Sequence, residues 1–213
     1  MDRINLNIKN NHLQIFSNIV SDDVFGMPVI NKYKGEIPTK LQAFNKAVTQ
    51  KEYSNTVHFY LNDKEFARIL TYPEKYLEIL KRFKSVIAPD FSQYIDMPLP
   101  MRFYHCFLNK ALAAYWANNG VNVIPNVTWS TPDSYDYSFA GIAKNGIIAI
   151  NCTGVKRSGY SKYLWMEGYK EAVRRLDPKH IIRYGEKMPG EYEEISTYFE
   201  NENYKMLNNG RKR

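Results

Sequence analysis

Five short, apolar-centred runs recur along the chain, and stretches of helical pattern come between them: "NTVHFYL" (55–61), "SVIAPDF" (85–91), "VNVIPNVTW" (121–129), "GIIAIN" (146–151) and "KHIIRYG" (179–185). Their apolar residues stand side by side rather than alternating, so each run reads as a strand covered on both faces, as parallel strands of βα units are. Between them, "DKEFARIL" and "PEKYLEILKRF" read as helical pieces, with Pro73 at a helix start and Leu77, Leu80 and Phe83 on one face. A helix is expected over about 100–118, where Tyr104, Phe107, Leu108, Ala111, Leu112 and Tyr115 keep helical spacing and Gly120 lies just beyond. "KYLWMEGYKEAVRRL" (162–176) is a further helix, and "KLQAFN" (40–45) fits either a strand or a helical turn. The expected fold is therefore α/β: a mostly parallel sheet of five to seven strands with helices on both faces, its crossovers right-handed. Too few strands are present for a closed eight-fold barrel. Two forms remain open, a Rossmann-like open sheet and an incomplete TIM-barrel-like one.

No linker, repeat or low-complexity segment divides the 213 residues, so residues 22–189 are read as a single α/β domain. Residues 1–21 form an N-terminal arm without a clear pattern, and 190–213 are expected to give an acidic C-terminal helix and a basic tail. A chain of this length buries roughly 70% of its unfolded surface and needs no covalent staples. The two cysteines, Cys106 and Cys152, are read as free thiols of a reducing compartment. The first residues lack an apolar signal core and no run is long enough to span a bilayer, so a cytoplasmic protein with no membrane partner is expected.

In parallel sheets ligands gather at the carboxyl ends of the strands, where loops and helix N-termini converge. Past the apolar part of the last four runs, at 89, 125, 150 and 183, the chain turns polar: Asp90 in the second, Asn126, Thr128 and Trp129 in the third, Asn151, Cys152, Thr153 and Gly154 from the end of the fourth, and Tyr184 with Glu186 from the end of the fifth. Asp90 and Glu186 are the candidate catalytic residues, an acid/base pair if they meet at the sheet edge, with Asp133 or Asp136 as further carboxylates. The loop "NCTGVKRSGYSK" raises a separate possibility. Gly154 lets the backbone bend close to a ligand, the following helix offers free N–H groups, and Lys156 and Arg157 supply positive charge suited to phosphate or carboxylate. It matches neither phosphate-loop nor dinucleotide spacing, and its other reading is a solvated basic loop capped by Ser158 or Ser161.

The net charge of +7 favours an anionic partner, whether nucleic acid, a nucleotide-like anion or an acidic host protein surface. Tyr135 and Tyr137, in the loop after Trp129, are candidate stacking residues for bases. Cys152 beside two cations has a possible nucleophilic reading, and its other reading is strand-end packing. No metal is expected: His12, His58, His105 and His180 are scattered without ligand spacing. No cofactor is named by any motif.

The pieces "FGMPVI", "APDFS", "DMPLP" and "NVIPNVTWS", and the Tyr-Gly after the last run, resemble an uncharacterised domain-of-unknown-function family common in phage and other mobile genetic elements. The resemblance covers roughly 22–186. It implies a genomic setting and one recurring structural unit, and carries no activity or catalytic residue. Three functions stand open on the sequence: a mobile-element protein binding nucleic acid or a nucleotide-like anion at the carboxyl edge of its sheet, an enzyme acting on a nucleotide or phosphorylated small molecule, and a host-directed interaction protein.

Overall fold

The computed structural model describes residues 19–22, 24–155 and 158–201. Lys156, Arg157, nearly all of the N-terminal arm and the basic tail lie outside the described residues. Seven strands follow one another in serial order: β1 (Leu41–Ala43), β2 (Thr56–His58), β3 (Ser85–Ile87), β4 (Val123–Ile124), β5 (Ile147–Asn151), β6 (His180–Tyr184) and β7 (Ser196–Phe199). Every pairing between named strands is parallel. The expected single sheet is divided into one of four strands, β1 to β4, and one of three, β5 to β7. A parallel bridge between Asn126 and Ala149 joins them, and Val127 N–H and Ala149 N–H carry the ladder across at 2.9 and 2.8 Å.

Serial order separates the two forms left open by the sequence. A Rossmann-like sheet reverses its order at a switch point, whereas serial order belongs to a barrel. Side chains confirm the curl. Val57, Val86 and Val123 face a cluster with Phe44, Leu77, Leu112 and Trp116 from the helices, while Ile148, Ile150 and Ile181 face Trp165, Tyr169 and Ala172. The alternate residues Leu41, Ile87, Ile124, Ala149 and Ile182, with Tyr60 beyond β2 and Phe199 of β7, meet in one inner cluster that has no helical member. The helices therefore lie outside and the inner faces fill the centre against each other, as in a barrel core. No pairing joins β7 to β1 among the described residues, so the barrel is incomplete.

The helices are α1 (Phe44–Gln50), α2 (Asp63–Phe66), α3 (Arg68–Thr71), α4 (Pro73–Leu80), α5 (Leu99–Asn118), α6 (Tyr135–Phe139) and α7 (Gly159–Leu176). α2 starts in a capping box in which the Asn62 side chain and Glu65 satisfy each other's backbone N–H groups. α5 buries Leu108, Ala111, Leu112 and Trp116, but Tyr104, expected on the same face, is 51% exposed. The expected acidic terminal helix is absent from the described residues: a 3-10 turn, Glu193–Ile195, leads directly into β7. Thr197 is β-branched and Tyr198 and Phe199 are aromatic, and the open edge of β6 offers this segment a ladder that outweighs the helical bias of the acidic stretch before it.

Candidate functional site

The carboxyl ends of β2 to β5 and the loops beyond them build one polar cluster. Asp90 is at its centre, two residues beyond the Ala88 that follows β3, and stays partly accessible. Asn126 Nδ2 donates to Asp90 Oδ1, and Asn151 Nδ2 donates to Asp90 Oδ2, both at 3.1 Å. The two amides cannot be turned around. Asn126 Nδ2 also donates to the Pro89 carbonyl at 3.2 Å, and Asn151 Oδ1 accepts the Thr153 N–H at 2.7 Å. Backbone groups have fixed polarity, so both amides are held as donors toward Asp90. Asn126 Oδ1 in turn accepts from the Tyr60 hydroxyl at 3.0 Å.

The Asp90 loop is clamped from behind. Asp63, in the first turn of α2, accepts from Ser92 N–H and from its hydroxyl. Asn109 of α5 pairs with both backbone groups of Phe91, at 2.7 and 3.1 Å, and His105 Nδ1 lies 2.6 Å from the Ser92 carbonyl. Gln93 Nε2 donates to Thr128 Oγ1 at 2.8 Å, which ties the loop after β3 to the loop after β4. The other end of that amide, Gln93 Oε1, is buried without a partner.

Electrostatics follow from this packing. Surrounding protein disfavours the Asp90 charge and pushes its pKa up to about 6; the Asn151 and Asn126 hydrogen bonds oppose that shift, and the Asp63 carboxylate adds to it. Below the cluster, Tyr60 and Tyr184 stack at 4.8 Å, and His58 lies 4.6 Å from Tyr184. Burial, with the Lys46 charge as a smaller cause, holds His58 down to about 3, so its imidazole is neutral, and Nδ1 accepts the Tyr60 N–H. The site floor is thus uncharged and aromatic, with one titratable carboxylate above it.

A second set of contacts holds the β5 and β6 ends. Arg183 is fully buried and pairs with the buried Glu191. It donates to the Ile150 carbonyl at 2.8 Å and stacks over Trp165 at 4.6 Å. Trp165 Nε1 donates to the Asn151 carbonyl at 2.9 Å. Cys152 is buried, and its thiol donates to the Glu186 carbonyl at 3.0 Å.

Of the residues singled out from the sequence, the structure brings Asp90, Asn126 and Asn151 into direct contact. Thr128 is tied to the Asp90 loop through Gln93, and Tyr184 stacks on Tyr60, which donates to Asn126. Thr153 and Gly154 are exposed at the loop beyond β5. Gly154 has φ +83°, yet nothing stands where a Cβ would be, so the turn itself requires glycine. Ser158 caps α7 by accepting the Ser161 N–H at 3.0 Å. Trp129 packs against Trp165 and Phe139, and Gly168 of α7 leaves room for its indole ring. Tyr135 and Tyr137, read as stacking residues, are buried instead, because α6 folds them inward against the outer helices. Asp133 and Asp136 do not supply the second carboxylate: Arg102 holds the first at 3.0 Å and Arg175 the second at 2.6 Å. Glu186 is exposed, and its backbone oxygen is what Cys152 and Arg183 engage. Sequence reasoning missed Tyr60, Asp63 and Gln93. Tyr60 had a signal, since it stands next to last in the apolar run 55–61. Asp63 had none, because only the folded chain sets α2 beside the Asp90 loop.

Parallel strands in serial order, helices outside and a polar cluster at the strand ends define an α/β protein of incomplete-barrel form. Within that class, the chain belongs to a family described as a domain of unknown function, DUF4417, whose model matches residues 19–202. It is similar to the Gene 1 protein of Mycobacterium phage L5, 30% identical over 154 residues that cover 70% of this chain and 67% of that protein. It is also similar to the Gene 1 protein of Mycobacterium phage D29, 30% identical over 153 residues, 70% of this chain and 56% of that protein. The chain thus spans little more than half of the second relative, and the phage association read from the sequence holds for both. No solved structure matches the chain. No helix among the described residues is long and apolar enough to cross a membrane.

Proposed function

We propose that the protein is an enzyme that transfers a proton to or from a nucleotide or a similar phosphorylated small molecule, with Asp90 as the acid/base. One observation carries this reading: a partly accessible carboxylate with its pKa pushed up to about 6, set between two fixed amide donors at the carboxyl ends of adjacent strands. A general acid/base works best with a pKa near the operating pH, and strand-end loops of barrel folds are where such groups act. Glu186 is the second candidate carboxylate. The net charge of +7, to which Lys156 and Arg157 contribute, suits a phosphorylated ligand. The test is incubation with a nucleotide and nucleoside panel, followed by mass spectrometry. Conversion is expected with the wild-type protein and lost in Asp90→Asn, which stays folded. Turnover that survives this change ends Asp90's role.

A second reading, binding of nucleic acid, is favoured by Tyr160 and Tyr163, each 60% exposed in the first turns of α7. Its affinity for oligonucleotides should fall steeply with salt, since phosphate contacts release counterions. Affinity flat in salt removes it.

A further inference from the structure

The polarity of the site limits which end of a ligand can meet it. Asn126 spends its amide hydrogens on Pro89 and Asp90, and Asn151 directs one of its own to Asp90. The strongest outside charge acting on Asp90 is a second carboxylate, Asp63. The nearby guanidinium, Arg183, is committed to Glu191, to backbone carbonyls and to the face of Trp165. Gln93, 9% exposed and tied to Thr128 in the neighbouring loop, leaves Oε1 buried with nothing donating to it. A buried acceptor without a donor is rare in folded proteins and marks a place where a water or ligand hydrogen belongs. The loop after β3 therefore carries a carboxylate and an orphan amide oxygen, both acceptors. A phosphate oxygen placed there meets like charge and finds no hydrogen to accept from them.

We propose that the ligand enters with an uncharged, hydrogen-bond-donating nucleoside part against Asp90 and Gln93, and that any phosphate it carries stays outside this cluster. The inference rests on the nucleotide reading above and specifies the orientation and chemical class of what that site recognises. Two parts of a nucleoside carry the required hydrogens, the amino and ring N–H groups of the base and the ribose hydroxyls. Both share the same chemistry toward an acceptor pair.

The test is calorimetric or thermal-shift titration of the full chain with the four ribonucleosides, their monophosphates, free bases, ribose and inorganic phosphate. At least one nucleoside is expected to bind within tenfold of its monophosphate, and inorganic phosphate alone should not displace it. Asp90→Ala and, separately, Gln93→Leu should each weaken that nucleoside tenfold or more, with the circular dichroism spectrum unchanged. If either variant fails to fold, displacement by inorganic phosphate in the wild-type protein still decides the matter. Competition by the free base assigns the donor edge to the base, and competition by ribose assigns it to the sugar. Binding of inorganic phosphate in competition with nucleotides, or silence from every nucleoside, overturns the inference. Nucleoside binding without turnover leaves it standing while the acid/base reading falls. Turnover driven by phosphate-first binding does the reverse.

Discussion

Replacing Asp90 by asparagine keeps the shape of the side chain and removes its charge, so it isolates what that charge costs the fold. The pKa of Asp90 moves from 3.8 to about 6 on folding. The folded protein thus holds the proton more tightly than the unfolded chain does. Wild-type stability is therefore greatest, relative to the variant, below the unfolded value; it declines as pH rises through the folded value and is level above it. A shift of about two units at about 1.4 kcal/mol each gives at most about 3 kcal/mol, reduced by whatever water reaches the partly accessible carboxyl. A second effect is independent of pH. Asn126 and Asn151 are both fixed as donors, so the new amide N–H must face one of their N–H groups, an offset of about 1–3 kcal/mol against the variant. Urea unfolding of both proteins at about pH 4 and about pH 8 separates the two effects. The difference between the proteins should move by up to about 3 kcal/mol in favour of Asp90→Asn at the higher pH. A difference that does not change with pH shows that Asp90 carries no burial cost, and the acid/base reading loses its physical basis.

Moving the charge tests the pinned amides directly. In Asp90→Asn combined with Asn151→Asp, the carboxylate at position 151 still accepts the Thr153 N–H, and the amide at position 90 donates to it while accepting from Asn126. Denaturant titration should return about 1 kcal/mol or more relative to Asp90→Asn alone, and no return refutes the donor assignment. Arg183→Met leaves the Glu191 carboxylate buried without its partner and should cost about 3–5 kcal/mol in the same assay. A loss below about 1 kcal/mol means water reaches that pair. Gly168→Ala places a Cβ 2.0 Å from Trp129 Nε1, and the crowding should cost roughly 1–3 kcal/mol with a shift of tryptophan fluorescence. An unshifted spectrum at full stability disproves the close approach of α7 to Trp129.

Some of this molecule is legible in its sequence because it depends on local pattern. The runs around Val57, Val86, Ile124, Ile148 and Ile181 announce buried parallel strands, since unbroken apolar stretches are tolerated only where both faces are covered. Polar residues beyond those runs marked the strand ends, and Asp90, Asn126 and Asn151 were visible there as residue types. Other features depend on neighbours that no local pattern reports. Residues Ser196 to Phe199 followed an acidic stretch with a helical bias and became a strand because β6 offered an open edge. Tyr135 and Tyr137 became core because α6 folded inward. Asp133 and Asp136 left the list of candidate carboxylates because Arg102 and Arg175 hold them on the outer helices. The sequence by itself determined the class of fold and the edge at which the polar cluster forms, because both follow from hydrophobic periodicity. Only the tertiary structure decided that Asp90 is the titrating group: its pKa is set by what surrounds it, by Asn126, Asn151 and Asp63 drawn from three distant parts of the chain.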